Sequence, residues 1–234
     1  MSALDLGLFE AASTPYDANG LWLEFGVYRG GSTRKLRDGR FSLAAHSNSA
    51  NNTMVFGFDS FQGLPETWRK SSLGTFNGAR IDRRYLSRGA FSLRGQPPYH
   101  RDGIGWVIGW FNESLPGFLQ DHSGHAKFVH IDSDLYSSAK TVLTLLVQAN
   151  RLKSGTILVF DELINYPEFM DGELKALCEL LASSSYRLRV LGTGASVVLP
   201  DAASVKAKLR TQHAGRETPH SGRYRQDAAF VLTQ

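Results

Sequence analysis

Two apolar runs that each end in acid constrain this chain most. Lys127-Phe128-Val129-His130-Ile131 leads into Asp132-Ser133-Asp134, and Thr156-Ile157-Leu158-Val159-Phe160 leads into Asp161-Glu162. Between them, Ser137 to Arg151 sets Val142, Leu143, Leu145, Leu146 and Val147 in a helical pattern, and Gly155 suits the helix exit. Strand, helix and strand at this spacing form a βαβ unit, whose right-handed crossover makes the two strands parallel. Both acidic clusters then stand at the C-terminal edge of one sheet. Up to four carboxylates gathered there repel one another unless a cation or a proton compensates them, so the pattern points to a metal site or to acid/base chemistry.

The rest of the chain extends this unit. Leu21-Trp22-Leu23-Glu24-Phe25 reads as a first buried strand, and a helix begins over Ser32 to about Leu36. Further strands are expected at Met54 to Phe58, Gly105 to Ile108 and Tyr186 to Leu191, and a helix over Glu173 to Leu181. The last strand is either Ala228 to Leu232 or Ala195 to Leu199, and the stretch before Leu21 is polar. Alternating strands and helices imply an open, mostly parallel sheet covered on both faces, with ligands beyond its C-terminal edge. At 234 residues and 42% apolar content, one domain spanning residues 1–234 is expected. Residues 67–101 and 201–226 carry too few apolar side chains for cores of their own and read as elaborations of it.

Charge is local. The net +4 of the chain conceals +7 between Thr67 and Arg101, where Arg69, Lys70, Arg80, Arg83, Arg84, Arg88, Arg94 and Arg101 face one acid, Asp82. Aromatic residues lie among them, which raises nucleic-acid binding; no recognisable nucleic-acid motif accompanies the charge, and a solvated insertion that touches substrate or a partner subunit explains it as well. The N-terminus holds Asp5 and Glu10 and no basic lead into an apolar core, and no apolar run is long enough to span a bilayer. The expectation is a soluble, cytoplasmic protein that is not secreted. Its single cysteine, Cys178, excludes an intrachain disulfide and any multi-cysteine zinc site, and it lies in a helical apolar stripe that suits packing.

A glycine turn follows the first strand: Glu24-Phe25-Gly26-Val27-Tyr28-Arg29-Gly30-Gly31-Ser32. Gly26 and Gly30 permit a tight turn and close approach of a ligand, while Ser32 or Thr33 can cap the next helix, whose free N–H groups attract an anion. The position suits a nucleotide-like ligand. It lacks the Gly-Lys-Ser/Thr ending of a P-loop, and only two glycines fit the dinucleotide register. At the end of the second strand, Asp59 can accept both hydroxyls of a ribose, or it can cap its own turn.

Taken in order, several segments resemble class I S-adenosylmethionine-dependent methyltransferases of the macrocin O-methyltransferase family, which includes sugar O-methyltransferases of antibiotic pathways. The segments are Glu24-Phe25-Gly26-Val27 with Gly30 and Ser32, Gly57-Phe58-Asp59-Ser60-Phe61 with Gly63-Leu64-Pro65-Glu66, Gly109-Trp110-Phe111 with Ser114-Leu115-Pro116, His130 to Ser138, and Phe160-Asp161-Glu162. The match runs from about Leu21 to Leu181. The resemblance implies a Rossmann-like α/β fold: a mostly parallel seven-stranded sheet with helices on both faces and an antiparallel last strand. It implies S-adenosylmethionine over Gly26 to Ser32, with Tyr28, Gly30 and Asp132 beside it, the ribose on Asp59 and Glu24 facing the methionine end. It further implies a divalent ion, usually Mg²⁺, on Asp132, Asp161 and Glu162, with Asp134 as general base. The implied partner is a small-molecule hydroxyl acceptor, a sugar or natural-product glycoside, with neither nucleic acid nor membrane; assembly into a homo-oligomer is left open. The short N-terminus, the Arg-rich insertion and the C-terminal tail depart from the family pattern and leave the acceptor unnamed.

The chemistry explains why such residues belong together. A hydroxyl is a poor nucleophile towards a methyl sulfonium until it loses its proton; a carboxylate-bound hard cation lowers the hydroxyl's pKa, and a nearby carboxylate collects the proton. Asp132 and Asp134, two apart, leave an extended strand on one side, whereas Asp161 and Glu162 diverge unless the chain turns after Asp161. Other readings exist residue by residue: helix capping for Asp132 and Asp134, a solvated strand end for Asp161 and Glu162, a hydrogen-bonded core role or a base for His130, and pocket lining or packing for Tyr136. The rival enzyme is a glycosyltransferase that uses Asp132-Ser133-Asp134 as its metal-binding Asp-x-Asp, which leaves the glycine turn and Asp161-Glu162 unexplained. A binding module gripping an acidic partner through the basic insertion is a further class.

Overall fold

The structure is a computed structural model that describes residues 2–47, 53–68, 87–166, 168–193 and 226–234, with the backbone of 75–76 and 79–80. Residues 69–74, 77–78 and 81–86 of the Arg-rich insertion, the competing strand at 195–199 and nearly all of 201–226 lie outside the described residues.

In chain order the elements are α1 (Ala3–Ala12), β1 (Leu21–Phe25), α2 (Gly31–His46), β2 (Val55–Asp59), β3 (Thr75–Phe76), β4 (Ala79–Arg80), β5 (Ile104–Ile108) and α3 (Phe111–Asp121). There follow β6 (Ala126–Ile131), α4 (Tyr136–Gln148), β7 (Ile157–Phe160), a short 3₁₀ turn at Phe169–Asp171, α5 (Glu173–Ala182), β8 (Arg187–Thr193) and β9 (Ala228–Thr233). The main sheet has seven strands in the order β5-β2-β1-β6-β7-β9-β8. Neighbours from β5 to β7 pair in parallel, and β9 is antiparallel to both β7 and β8. β3 and β4 form a separate antiparallel pair.

Alternation along β1 sends its side chains into two layers. Leu21, Leu23 and Phe25 join the larger core beneath α3, α4 and α5, whereas Trp22 joins the core beneath α1 and α2. Adjacent strands reinforce each layer with stacked aromatic pairs: Trp22 on Phe128 at 4.8 Å and Phe25 on Phe58 at 4.7 Å, both in direct register. Each such pair adds about 0.5–1.5 kcal/mol beyond its buried area.

Two helices escape the sequence pattern. α1 lies in the stretch read as polar; Ser2 and Asp5 cap its start reciprocally, and Gly7 lets it press on the sheet, because a Cβ there would come within 2.8 Å of Val159 and 2.9 Å of Phe128. α3 carries Pro116 inside it and buries only Leu115, Phe118 and Leu119, a short stripe that apolar periodicity does not single out. Among the described residues no helix is long and apolar enough to cross a membrane. Cys178 is half-buried on α5 and packs against the larger core.

Strand order reverses between β1 and β6: β2 and β5 extend the sheet one way from β1, and β6 and β7 the other. That switch point opens a crevice at the C-terminal edge, where loops on either side diverge.

Candidate active site

The sheet ladder continues past the strand ends and fixes the loop residues in register. Gly26 N–H donates to Phe58 O (3.0 Å), Asp132 N–H to Phe25 O (2.9 Å) and Asp161 N–H to Ile131 O (3.0 Å). The glycine turn, the first acidic cluster and the second thus sit on neighbouring strands by backbone geometry alone. Gly26 is required by close approach: at φ +92° a Cβ would lie 1.8 Å from the Asp132 carbonyl oxygen. Its role is to let β1 and β6 meet at the switch point, a packing reason beside the ligand reason that the sequence offers.

A cleft of about 780 Å³ opens there, within the usual range for small-molecule sites. Gly26, Tyr28, Asp59, Asp132, Asp134, Asp161 and Glu162 all line it. Aromatic walls come from Trp68, Phe91, Trp110 and Phe111, and α4 contributes the hydroxyl side chains Ser137, Ser138 and Thr141. Ser137 Oγ also donates to Glu66 Oε1 (2.6 Å), which ties the loop after β2 to the start of α4.

Asp59 caps its own turn and also borders the cleft. Its Oδ2 accepts from the N–H groups of Val27 (2.9 Å) and Tyr28 (3.1 Å), and its Oδ1 from that of Phe61 (2.7 Å), while the side chain still borders the cleft. It braces the glycine turn and caps its own. Tyr28 takes the left-handed region at φ 49°, and its ring meets Phe91 edge-on.

Glu24, Gly30 and Ser32 are not among the residues that line the cleft. Glu24 is fully buried beneath the turn, where Thr33 Oγ1 donates to Oε2 and His130 Nδ1 lies 2.9 Å from Oε1. Thr33 therefore does not cap α2, and neither does Ser32: the cap position is Gly30 in the left-handed region, without a side-chain hydrogen bond. Gly30 instead accepts from Tyr99 Oη at its carbonyl (2.7 Å). His130 is buried and hydrogen-bonded in the core. Tyr136 points elsewhere, its hydroxyl donating to Glu179 Oε2 (2.9 Å).

The acidic residues do converge. β7 ends at Phe160 and the chain turns, so that Asp132, Asp161 and Glu162 can each present one carboxylate oxygen within 4.8 Å of the others. Burial, with Asp161 and Asp134 next, pushes the Asp132 carboxyl well above the ordinary carboxylate range. Burial, with Asp134 and Asp161 next, does the same to Glu162. Glu162 Oε2 is buried and has no hydrogen-bond partner among the described residues. An orphaned buried oxygen among mutually repelling carboxylates is a set of hard donors that suits a hard divalent cation. Asp134 lines the same cleft from a left-handed backbone position, φ 63°.

Sequence reasoning missed Glu173, the first residue of α5. It is fully buried, and its Oε1 accepts from both Ser133 N–H (3.0 Å) and Ser133 Oγ (3.1 Å). Burial is the largest cause holding its carboxyl well above the usual range, although the Ser133 bonds oppose it. Its sole sequence signal was an acid at a helix start, which ordinary capping explains equally well.

A parallel sheet with this order, closed by an antiparallel β9, and a cleft at its switch point define a class I methyltransferase fold. Residues 12–172 match the macrocin-O-methyltransferase (TylF) family model, so the chain belongs to that family and is an S-adenosylmethionine-dependent O-methyltransferase. It is similar to a crystal structure of CalS11, a calicheamicin methyltransferase, at 21% identity and a TM-score of 0.62, over 97% of this chain and 76% of that one. It also resembles an apo structure of CalS11, described as a TDP-rhamnose 3'-O-methyltransferase, at 20% identity and a TM-score of 0.53, over 97% and 77% of the two chains. No curated relative matches the chain. Family membership leaves the glycosyltransferase alternative without support.

Proposed function

We propose that this enzyme methylates a hydroxyl of a sugar or a natural-product glycoside with the help of Mg²⁺. The observation that carries the reading is the convergence of Asp132, Asp161 and Glu162 in the cleft that Gly26 and Asp59 also border. The family name and the CalS11 neighbours support a sugar acceptor, and the hydroxyl-rich start of α4 beside aromatic walls suits one.

In this reading Gly26, Tyr28 and Asp59 hold the cofactor, with Asp132 beside it, and Glu24 supports the turn from beneath through Thr33. Asp132, Asp161 and Glu162 hold the ion. A bound Mg²⁺ supplies positive charge that lowers the pKa of the acceptor hydroxyl. Asp134 would receive the hydroxyl proton at its carboxylate, and S-adenosylmethionine held by Gly26, Tyr28 and Asp59 would supply the methyl group. Trp68, Phe91 and Trp110 give the cleft apolar walls. Sugar, phenol and other hydroxyls are separated by incubating the enzyme with deuteromethyl-labelled S-adenosylmethionine and a panel of glycosides and phenols. A glycoside that gains one labelled methyl supports the reading; transfer to phenols alone would overturn the acceptor assignment.

A further inference from the structure

The buried Glu173 stands outside the roles given above, yet it is bonded to the middle residue of the first acidic cluster. We propose that Glu173 is a positioning residue that holds the Asp132-Ser133-Asp134 turn in the shape the carboxylate site requires. The inference rests on the metal reading for its consequence and on hydrogen-bond geometry for its cause.

Ser133 is buried, so its backbone N–H must find a partner inside the protein. Glu173 Oε1 supplies that partner at 3.0 Å and accepts the Ser133 hydroxyl as well at 3.1 Å. The same turn carries Asp134 at φ 63°, in the left-handed region that few non-glycine residues adopt and that Asp adopts more readily than most. Both bonds come from a side chain forty positions away, on the first residue of α5, so that the start of one helix fixes the loop leading into another. The brace fixes one oxygen only. Glu173 Oε2 is buried and without a hydrogen-bond partner among the described residues, unusual for a residue whose task is capping alone. Asp134 and Asp161 are the acids whose charge Glu173 feels most. Outer residues that orient ligands in this way typically change metal affinity by about 10- to 100-fold when lost.

The test compares Glu173→Ala and Glu173→Gln in the full chain, because glutamine keeps an acceptor oxygen at the Oε1 position. Three quantities are read: Mg²⁺ affinity by calorimetry, S-adenosylhomocysteine affinity by the same method, and hydrogen exchange of the Ser133 amide. In Glu173→Ala the amide should exchange at least about tenfold faster and Mg²⁺ should bind at least about tenfold more weakly, with S-adenosylhomocysteine affinity within about twofold; Glu173→Gln should restore both. A general loss of stability would weaken both ligands together and would overturn the proposal. So would a glutamine variant as impaired as the alanine one, which would assign the effect to charge, or an unchanged Ser133 amide. If the wild-type chain binds no Mg²⁺, the metal reading fails by itself, and the Ser133 amide still decides whether Glu173 braces the turn.

Discussion

Replacing Gly26 by alanine tests the switch-point geometry, and Gly155→Ala provides a matched control. Both glycines sit at φ +92°, where a side chain is strained whatever the space around it. At Gly155 a Cβ would meet nothing within 4 Å, whereas at Gly26 it would lie 1.8 Å from Asp132 O, a backbone atom that cannot swing away. Strain alone should therefore cost Gly155→Ala about 1–2 kcal/mol. Gly26→Ala bears the same strain plus about 1–3 kcal/mol of overpacking, for a total of roughly 2–5 kcal/mol. Because the clash falls on the strand end that presents Asp132, the variant should also lose affinity for S-adenosylhomocysteine and Mg²⁺, while Gly155→Ala keeps both. Urea unfolding at constant m-value supplies the energies and calorimetry the affinities. Equal destabilisation of the two variants, or a Gly26→Ala enzyme with undisturbed ligand binding, would refute the argument that this glycine exists to bring β1 against β6.

Removing one carboxylate from the acidic trio should weaken the ion without emptying the cofactor site: Asp161→Asn is expected to lower Mg²⁺ affinity by about 10- to 100-fold while S-adenosylhomocysteine binding, read by calorimetry, stays within about twofold. Metal-free stability should fall as pH rises. The Asp132, Glu162 and Glu173 carboxyls lie above their unfolded values near 4, so the native state binds the extra protons; stability is full below that value and is lost as pH climbs through the raised ones. Urea midpoints in EDTA should be lower at about pH 8 than at about pH 5, with Mg²⁺ closing the gap; a higher midpoint at the alkaline end would contradict this. Glu24→Ala should destabilise the fold by about 1–3 kcal/mol in urea, because Thr33 and His130 lose their buried partner. Phe25→Ala, which removes the ring stacked on Phe58 in the larger core, should cost about 3–5 kcal/mol by the same assay.

Strand positions were legible because buried parallel strands are written as continuous apolar runs. β1, β2, β6 and β7 begin and end within a residue of where those runs do. The acidic residues were legible for a related reason: a strand that stops at Ile131 or Phe160 must deliver its next residues to the sheet edge. Long-range contacts left less trace. Nothing local announces that Glu24 pairs with His130 and Thr33 beneath the turn, since side chains on neighbouring strands and on α2 choose that partner together. Glu173 was hidden for the same reason, forty positions from the Ser133 it braces. α1 was missed because its amphipathic signal is weak and its register on the sheet depends on Gly7, whose meaning appears only once Phe128 and Val159 are packed against it.

The divalent cation proposed above would sit at the ends of β6 and β7, beside the cofactor cleft. Crystals grown with S-adenosylhomocysteine and Mn²⁺, which gives an anomalous signal and takes the same oxygen ligands as Mg²⁺, test it most directly. A cation held there predicts an anomalous peak about 2.0–2.3 Å from one carboxylate oxygen each of Asp132, Asp161 and Glu162, with the cofactor product lying over Gly26. S-adenosylhomocysteine bound in the cleft with no peak among those carboxylates would contradict it.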